Sequence, residues 1–211
     1  EKFNYIVSKL ENRGLNIPIK HVSNSAAIID LPEFNFDMVR AGIMLYGLYP
    51  SQNVNKNVVD LKEVMCLKAK VSQVKELEAN CGVSYGLKYK SDKKSQIATL
   101  PIGYADGYTR MLSGKAKVMI NGIKTAVIGN ICMDQCSIDV TNMNVKVGAE
   151  VVFFGGNDSG GISIDSIAKS LNTINYEIVC MIDKRVPRVY IQNEEIIDVK
   201  DDVLILSNKK G

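Results

Sequence analysis

The feature that most constrains this chain is a change of rhythm near residue 60. Ahead of it, helix-like and strand-like stretches alternate. In FNYIVSKLEN, Phe3, Ile6, Val7 and Leu10 recur at three- and four-residue intervals, as one apolar helix face requires, and Gly14 supplies a stop. IPIKHVS then reads as a short strand, NSAAIID as a turn into a short helix capped by Asn24 or Ser25, and MVRAGIMLYG as a second, mostly apolar strand. That order is α/β grammar. Behind residue 60 come period-two strand runs: MCLKAKVSQVKEL, SQIATLPIG, KAKVMI, KTAVIG, CSIDVT and AEVVFFG. They predict a separate, mainly β domain. SIDSIAKSL and TINYEIVCMI return to helical spacing, and RVPRVYIQ to strand. Polar, aperiodic SQNVNKNV lies where the rhythm changes, so residues 51–59 read as a linker between a domain over 1–50 and one over 60–211.

Composition narrows the function classes. With 211 residues, 46% of them hydrophobic, the chain can bury a sizeable core. A net charge of +3, from 26 basic residues set among 23 acidic ones, lacks the concentrated basic face of a nucleic-acid binder. The densest basic run, KYKSDKK, reads as a solvated hairpin loop rather than an anion site. Five cysteines without a CxxC suggest neither a disulfide framework nor a metal cluster, and fit a reducing cytoplasm. No apolar run is long enough to span a bilayer. The chain opens at Glu1 directly into a helical pattern, which suggests the back part of something longer.

Several residues carry chemical content. In a parallel barrel, the last strand-to-helix turns commonly hold a phosphate with backbone amides and a small hydroxyl. Ser25 can supply the hydroxyl and Gly42 and Ile43 the amides; the bland readings are a helix cap at Ser25 and packing relief at Gly42. Arg40 sits in an apolar run, where a buried guanidinium needs a partner. That partner is either Asp37 or Asp30, or a cofactor. His21, the sole histidine, is either a structural residue or an orienting partner for Arg40. In the β part, GVSYG, IGYADGYTR and GNICMDQCS each end an apolar strand in polar or aromatic residues near glycine. Tyr85, Tyr104 and Tyr108 are then either rim aromatics or chemistry; a phenol, ordinarily ionising near roughly pH 10, acts as a base only in a cationic setting.

Together HVSNSAA, FDMVRAGIMLYGLYPS, VSYGLKY, LPIGYADGYTR, IGNICMDQCSIDVT, TINYEI and RVPRVY, in this order, resemble the alanine racemase family over nearly the whole chain. The resemblance implies a multidomain α/β protein: the last strands and helices of a (β/α)8 TIM-type barrel, followed by a mainly β C-terminal domain. It implies a pyridoxal 5'-phosphate enzyme that interconverts L-alanine and D-alanine, supplying D-alanine for peptidoglycan. Tyr85 would be the base that removes the α-proton of the L-enantiomer, opposite a lysine that serves the D-enantiomer. Arg40 would pair with the pyridine nitrogen, supported by His21, while Ser25, Gly42, Ile43 and Tyr176 would hold the phosphate. Met133 matches the position whose backbone contacts the substrate carboxylate, and Tyr104 matches a gate residue, with Arg110 farther out. A cytoplasmic homodimer is implied, the β domain of each protomer completing its partner's site, with no part for metal, membrane or nucleic acid.

Two departures, and several alternatives, bear on the transfer. The family's cofactor-binding lysine, in a KANAYGHG-like run, has no counterpart here, and Lys20 matches nothing catalytic. Asn130 stands where many relatives carry an arginine at the outer gate, and Tyr176 favours alanine over serine. A broader-specificity or serine racemase shares the architecture. So does a pyridoxal phosphate decarboxylase, which would pair its pyridine nitrogen with a carboxylate rather than Arg40. A non-catalytic dimerising fragment is the reading from outside enzymology. Two strands of an eight-stranded barrel would leave an open edge and an exposed apolar face before residue 50.

Overall fold

In the computed structural model, which describes residues 1–156 and 161–203, the first helix, α1, runs over Lys2–Glu11 and buries none of its residues. Strand β1, His21–Asn24, leads into α2, Ser25–Asp30. A one-turn 3-10 helix, Pro32–Phe34, then returns the chain to β2, Met38–Arg40. β1 and β2 pair in parallel, with His21 opposite Met38 and Asn24 opposite Arg40, so α2 and its turn form a βαβ crossover. The run MVRAGIMLYG, read above as one strand, is cut short. Only Met38–Arg40 pairs, and a 3-10 turn, Ile43–Tyr46, follows between Gly42 and Gly47, because glycine punctuates the apolar pattern. Met38 and Val39 are exposed, as are Tyr5, Ile6, Leu15 and Ile19, which is the open apolar face expected of a few barrel elements.

Two compact units emerge, Glu1–Val64 and Met65–Gly211. Residues 51–59, read as a linker, lie in the first: the Asn55 amide donates to Asp30 Oδ1 at 2.9 Å, and the Tyr49 hydroxyl donates to the Val59 carbonyl at 2.8 Å.

The second unit is mainly β. Its strands are β3 (Leu67–Lys70), β4 (Gln73–Leu77), β5 (Gly82–Val83), β6 (Tyr89–Lys90), β7 (Ser95–Leu100), β8 (Lys117–Ile120), β9 (Ile123–Ile128), β10 (Cys136–Asp139) and β11 (Glu150–Phe154). Among the described residues, seven of these form one sheet in the order β3-β11-β8-β9-β10-β7-β4, antiparallel throughout. The two end strands are consecutive in the chain, joined only by Val71 and Ser72. A flat sheet cannot place its opposite edges two residues apart, so the sheet curls until they meet. The Val71 amide bonds the Ala149 carbonyl beside β11, and the Ser72 amide bonds the Thr99 carbonyl on β7, so the two end strands meet at this corner without pairing with each other. The interior is filled by residues with no exposure, including Ala98, Leu100, Val118, Ile138, Val151 and Phe153. Period-two alternation delivers them: in β10, Cys136 and Ile138 face in while Ser137 and Asp139 face out.

Helices α3 (Ile164–Leu171) and α4 (Asn175–Met181) follow, then the hairpin of β12 (Arg188–Gln192) and β13 (Glu195–Lys200). The sequence reading saw the first strand of this hairpin only. Asn193 and Glu194 both take positive φ, 51° and 67°, the conformation of a two-residue hairpin turn. KYKSDKK is solvent-facing apart from Ser91 and half-buried Tyr89, and its last lysine, Lys94, pairs with Glu76 at 2.7 Å. Among the described residues there is no disulfide, no His/Cys/Asp/Glu cluster suited to a metal, and no helix long and apolar enough to cross a membrane.

Two predictions follow from this packing. Gly107 has φ +92°, and a Cβ there would stand 2.1 Å from the Met181 carbonyl oxygen on α4; Gly148, at φ +89°, has open space around it. Gly148→Ala should cost about 1 kcal/mol from backbone strain alone, and Gly107→Ala about 2 to 4 kcal/mol, read as urea midpoints. The second concerns pH. Burial, helped by Cys132 and Asp106, raises the Cys136 thiol from 9.0 to about 12. Below about pH 9 the thiol is protonated in both states; above it the unfolded chain ionises first, so stability is lost as the pH climbs toward about 12. Alkali should therefore lower the urea midpoint more steeply in the wild-type chain than in Cys136→Ala.

Candidate active site

In the first unit, the ends of β1 and β2 meet at a small polar cluster. Asn24 is the cap of α2: its Oδ1 accepts from the Ala27 amide at 3.2 Å. Ser25 is thereby released from capping. Its buried hydroxyl oxygen instead accepts from the Gly42 amide at 3.0 Å and the Met44 amide at 3.4 Å. The Met44 amide joins that of Gly42 on this oxygen, while the Ile43 amide, its side chain anchored in the core, has no hydrogen-bond acceptor among the described residues. A hydroxyl and converging amides form the donor set that a phosphate monoester takes. A Cβ on Gly42 would lie 3.8 Å from Ser25 Oγ, so the glycine leaves the approach to this set open. These residues fit the phosphate of pyridoxal phosphate.

Arg40 is exposed rather than buried, because β2 is covered on neither face. Neither Asp37 nor Asp30 pairs with it: Asp37 accepts from the Lys20 amide and Asp30 from the Asn55 amide. The guanidinium donates to the Val22 carbonyl at 3.2 Å, which leaves the other N–H groups of its fork for a ligand. His21 is exposed at the start of β1 and is not hydrogen-bonded to Arg40.

In the second unit, residues 130–133 gather the turns that the sequence singled out. Tyr85 opens a 3-10 turn, Tyr85–Leu87, directly after β5 and Ser84. Its side chain is 73% exposed, and its carbonyl accepts from Asn130 Nδ2 at 2.6 Å. Ser84 holds φ +65° and donates its hydroxyl to the Asn130 carbonyl at 2.6 Å. Such a non-glycine φ costs on the order of 1 to 3 kcal/mol and persists only where its surroundings enforce it. The next turn is 3-10 helix Tyr104–Asp106, whose Tyr104 and Ala105 amides donate to the Cys132 and Met133 carbonyls, each at 3.0 Å. Met133 and Tyr104 are both exposed. The Ile131 amide donates to the Ser113 hydroxyl at 3.0 Å, which ties in the turn Arg110–Leu112. Tyr85, Tyr104, Met133 and Arg110 are thus brought to one strip. Tyr176 lies on α4, partly exposed.

A charge network that the sequence did not disclose fixes this end. Asp106 Oδ2 accepts from the Gly103 amide at 2.8 Å, while its Oδ1 meets Arg185 Nε at 2.7 Å. The same guanidinium reaches Asp134 Oδ1 at 2.6 Å. Asp134 and then Asp106 hold Arg185 charged, above its usual range. Tyr108, grouped above with the rim aromatics, is instead buried edge-on to Phe153, ring centroids 4.7 Å apart, and burial pushes its phenol up. It takes no part in the exposed cluster.

Comparison with known proteins identifies the family. Residues 1–50 match the family model described as the alanine racemase N-terminal domain, and residues 64–190 the one described as the C-terminal domain. Alanine racemase 1 of Clostridium acetobutylicum is 52% identical over 204 residues, covering 96% of this chain and 53% of that protein. An alanine racemase of Clostridium perfringens is 55% identical over 191 residues, covering 90% and 50%. The solved alanine racemase of Clostridium difficile in complex with cycloserine superposes with a TM-score of 0.89 at 48% identity, covering 94% of this chain and 52% of its own. That of Bacillus anthracis with bound L-Ala-P gives 0.89 at 33% identity, covering 96% and 52%. The chain spans about half the length of the relatives it matches. Its architecture is that of its neighbours, the end of an α/β barrel followed by a mainly β domain, and the chain belongs to the alanine racemase family.

Proposed function

We propose that this chain forms part of a cytoplasmic, pyridoxal phosphate-dependent alanine racemase, a homodimer that supplies D-alanine for peptidoglycan. The observation that carries the reading is the exposed Tyr85 phenol on an enforced turn, in a chain of this family. When bound, pyridoxal phosphate supplies the conjugated ring that draws electron density from the substrate's α-carbon. The Ser25 hydroxyl, oriented by the Gly42 and Met44 amides, donates to its phosphate beside Gly42, with the Ile43 amide and the Tyr176 phenol completing the cradle. Arg40 donates a hydrogen bond to the pyridine nitrogen while keeping its own proton, its guanidinium steadied by the Val22 carbonyl.

Tyr85 Oη takes the α-proton from the L-face of alanine and returns it to that face in the reverse direction. A lysine outside this chain serves the D-face. Met133 presents its backbone to the substrate carboxylate, and Tyr104, with Arg110 farther out, screens the approach. In the dimer, the strip at residues 130–133 delivers Tyr85 to the partner's barrel mouth. Dimerisation is then part of catalysis, and the exposure of Tyr85 in a single chain is consistent with that. Tyr176 limits the pocket to small side chains and disfavours serine, although a mere added hydroxyl is rejected only weakly by an apolar wall.

Two measurements test the reading. In the complete gene product loaded with pyridoxal phosphate, Tyr85→Phe should slow α-proton exchange from L-alanine by about 10²- to 10⁴-fold, the worth of a positioned general base, with cofactor absorbance retained. Unchanged exchange would remove Tyr85 from the chemistry. Ser25→Ala deletes one hydrogen bond to a charged phosphate, so cofactor affinity should fall by roughly tenfold in an absorbance titration. An unchanged affinity would place the phosphate elsewhere.

A further inference from the structure

We propose that Asn130 is a positioning residue for Tyr85, holding the turn that aims its phenol; this rests on the reading of Tyr85 as the L-face base. The Tyr85 hydroxyl has no hydrogen-bond partner among the described residues, so nothing at the tip of the side chain sets its direction. Direction must come from the backbone, and the backbone there is not at rest. Ser84, just ahead of the turn, and Leu87, its last residue, are not glycine yet sit at φ +65° and +46°. Left alone, such residues relax to negative φ and carry the phenol with them.

Asn130 opposes that relaxation from two directions. Its Nδ2 donates to the Tyr85 carbonyl at 2.6 Å, and its own carbonyl accepts from the Ser84 hydroxyl at 2.6 Å. The side chain is only 5% exposed, so water does not compete effectively for the amide. The adjoining residue completes the clamp. A Cβ on Gly129 would lie 2.9 Å from both Ser84 Cβ and the Val83 carbonyl oxygen, so the two segments approach as closely as backbone permits. The carboxamide is the chemically selective part. An acceptor facing the Tyr85 carbonyl would repel it, which makes aspartate, equal in shape, the informative replacement.

The experiment uses the complete gene product loaded with pyridoxal phosphate and compares wild type, Asn130→Asp, Asn130→Ser and Tyr85→Phe. Turnover of L-alanine should fall between about tenfold and a hundredfold in both Asn130 variants, with KM changed far less, as when a catalytic group is misplaced by a fraction of an ångström. The decisive readout is isotopic. With proton removal by Tyr85 slowed, the isotope effect on α-deuterated L-alanine should rise and that on α-deuterated D-alanine should fall, an asymmetry that general loosening of the fold would not produce. If Tyr85→Phe cripples exchange while the Asn130 variants keep wild-type isotope effects, the inference is overturned and the base assignment stands. Should Tyr85→Phe itself be without effect, the base assignment fails and the inference with it. Loss of folding in both Asn130 variants would also overturn it, since Asn130 would then support the domain rather than the turn.

Discussion

The strip at residues 130–133 is the element on which the β unit's exposed end depends. It belongs to no strand, yet it takes hydrogen bonds from, or gives them to, the Tyr85, Tyr104 and Ser113 turns. Loops that carry reactive side chains lose precision if each is free to move separately. Here three of them are referred to one piece of backbone, whose own position is set by the Arg185 fork through Asp134 and, one turn away, Asp106. The ion pairs are partly exposed and individually worth little as stability. Their value lies in geometry: a planar guanidinium bridging two carboxylates fixes the distance between the turns that bear them.

The first unit solves a related problem with fewer parts. Adjacent Asn24 and Ser25 could compete for the same helix end. Because Asn24 satisfies the α2 amide, the Ser25 hydroxyl turns toward the amides of the next strand-to-helix passage. Two turns remote in sequence thereby become one donor cluster. The same division of labour leaves Arg40 most of its fork: Asp37 and Asp30, the acids expected to pair with it, are committed to the Lys20 and Asn55 amides.

What could be read from the sequence follows from how local each signal is. Period-two runs revealed the β unit, and three- and four-residue spacing revealed α1, α3 and α4, because those patterns are written in neighbouring residues. Asn24 and Ser25 were recognisable as a capping pair, but which of them capped was a matter of geometry. The over-long strand at 38–47 was a reading of apolar content that ignored the two glycines within it. The Met44 amide reaches Ser25 Oγ across 19 residues, so no local pattern reports that bond. Asn130 reaches Tyr85 across 45 residues and Arg185 reaches Asp106 across 79, so no local pattern reports either contact. Asn130 stood out only as a departure from the resembled pattern, and its bond to the Tyr85 turn gives that departure a structural meaning.

The seam at Val71 and Ser72 has a consequence for how the β unit comes to exist. β3 and β4 are only two residues apart in the chain, as are β8 and β9, but β8 and β9 pair directly whereas β3 and β4 each find a partner only when β11 and β7 are in place. Early pairing of adjacent strands, the cheapest step in most antiparallel sheets, is unavailable at this point. Ordering must travel through distant pairings before the seam rewards it, a topology that favours slow and strongly cooperative folding. Each of the two strands is paired on one side alone, β3 to β11 and β4 to β7, so the edges facing away from those partners are where this sheet still offers backbone to another chain.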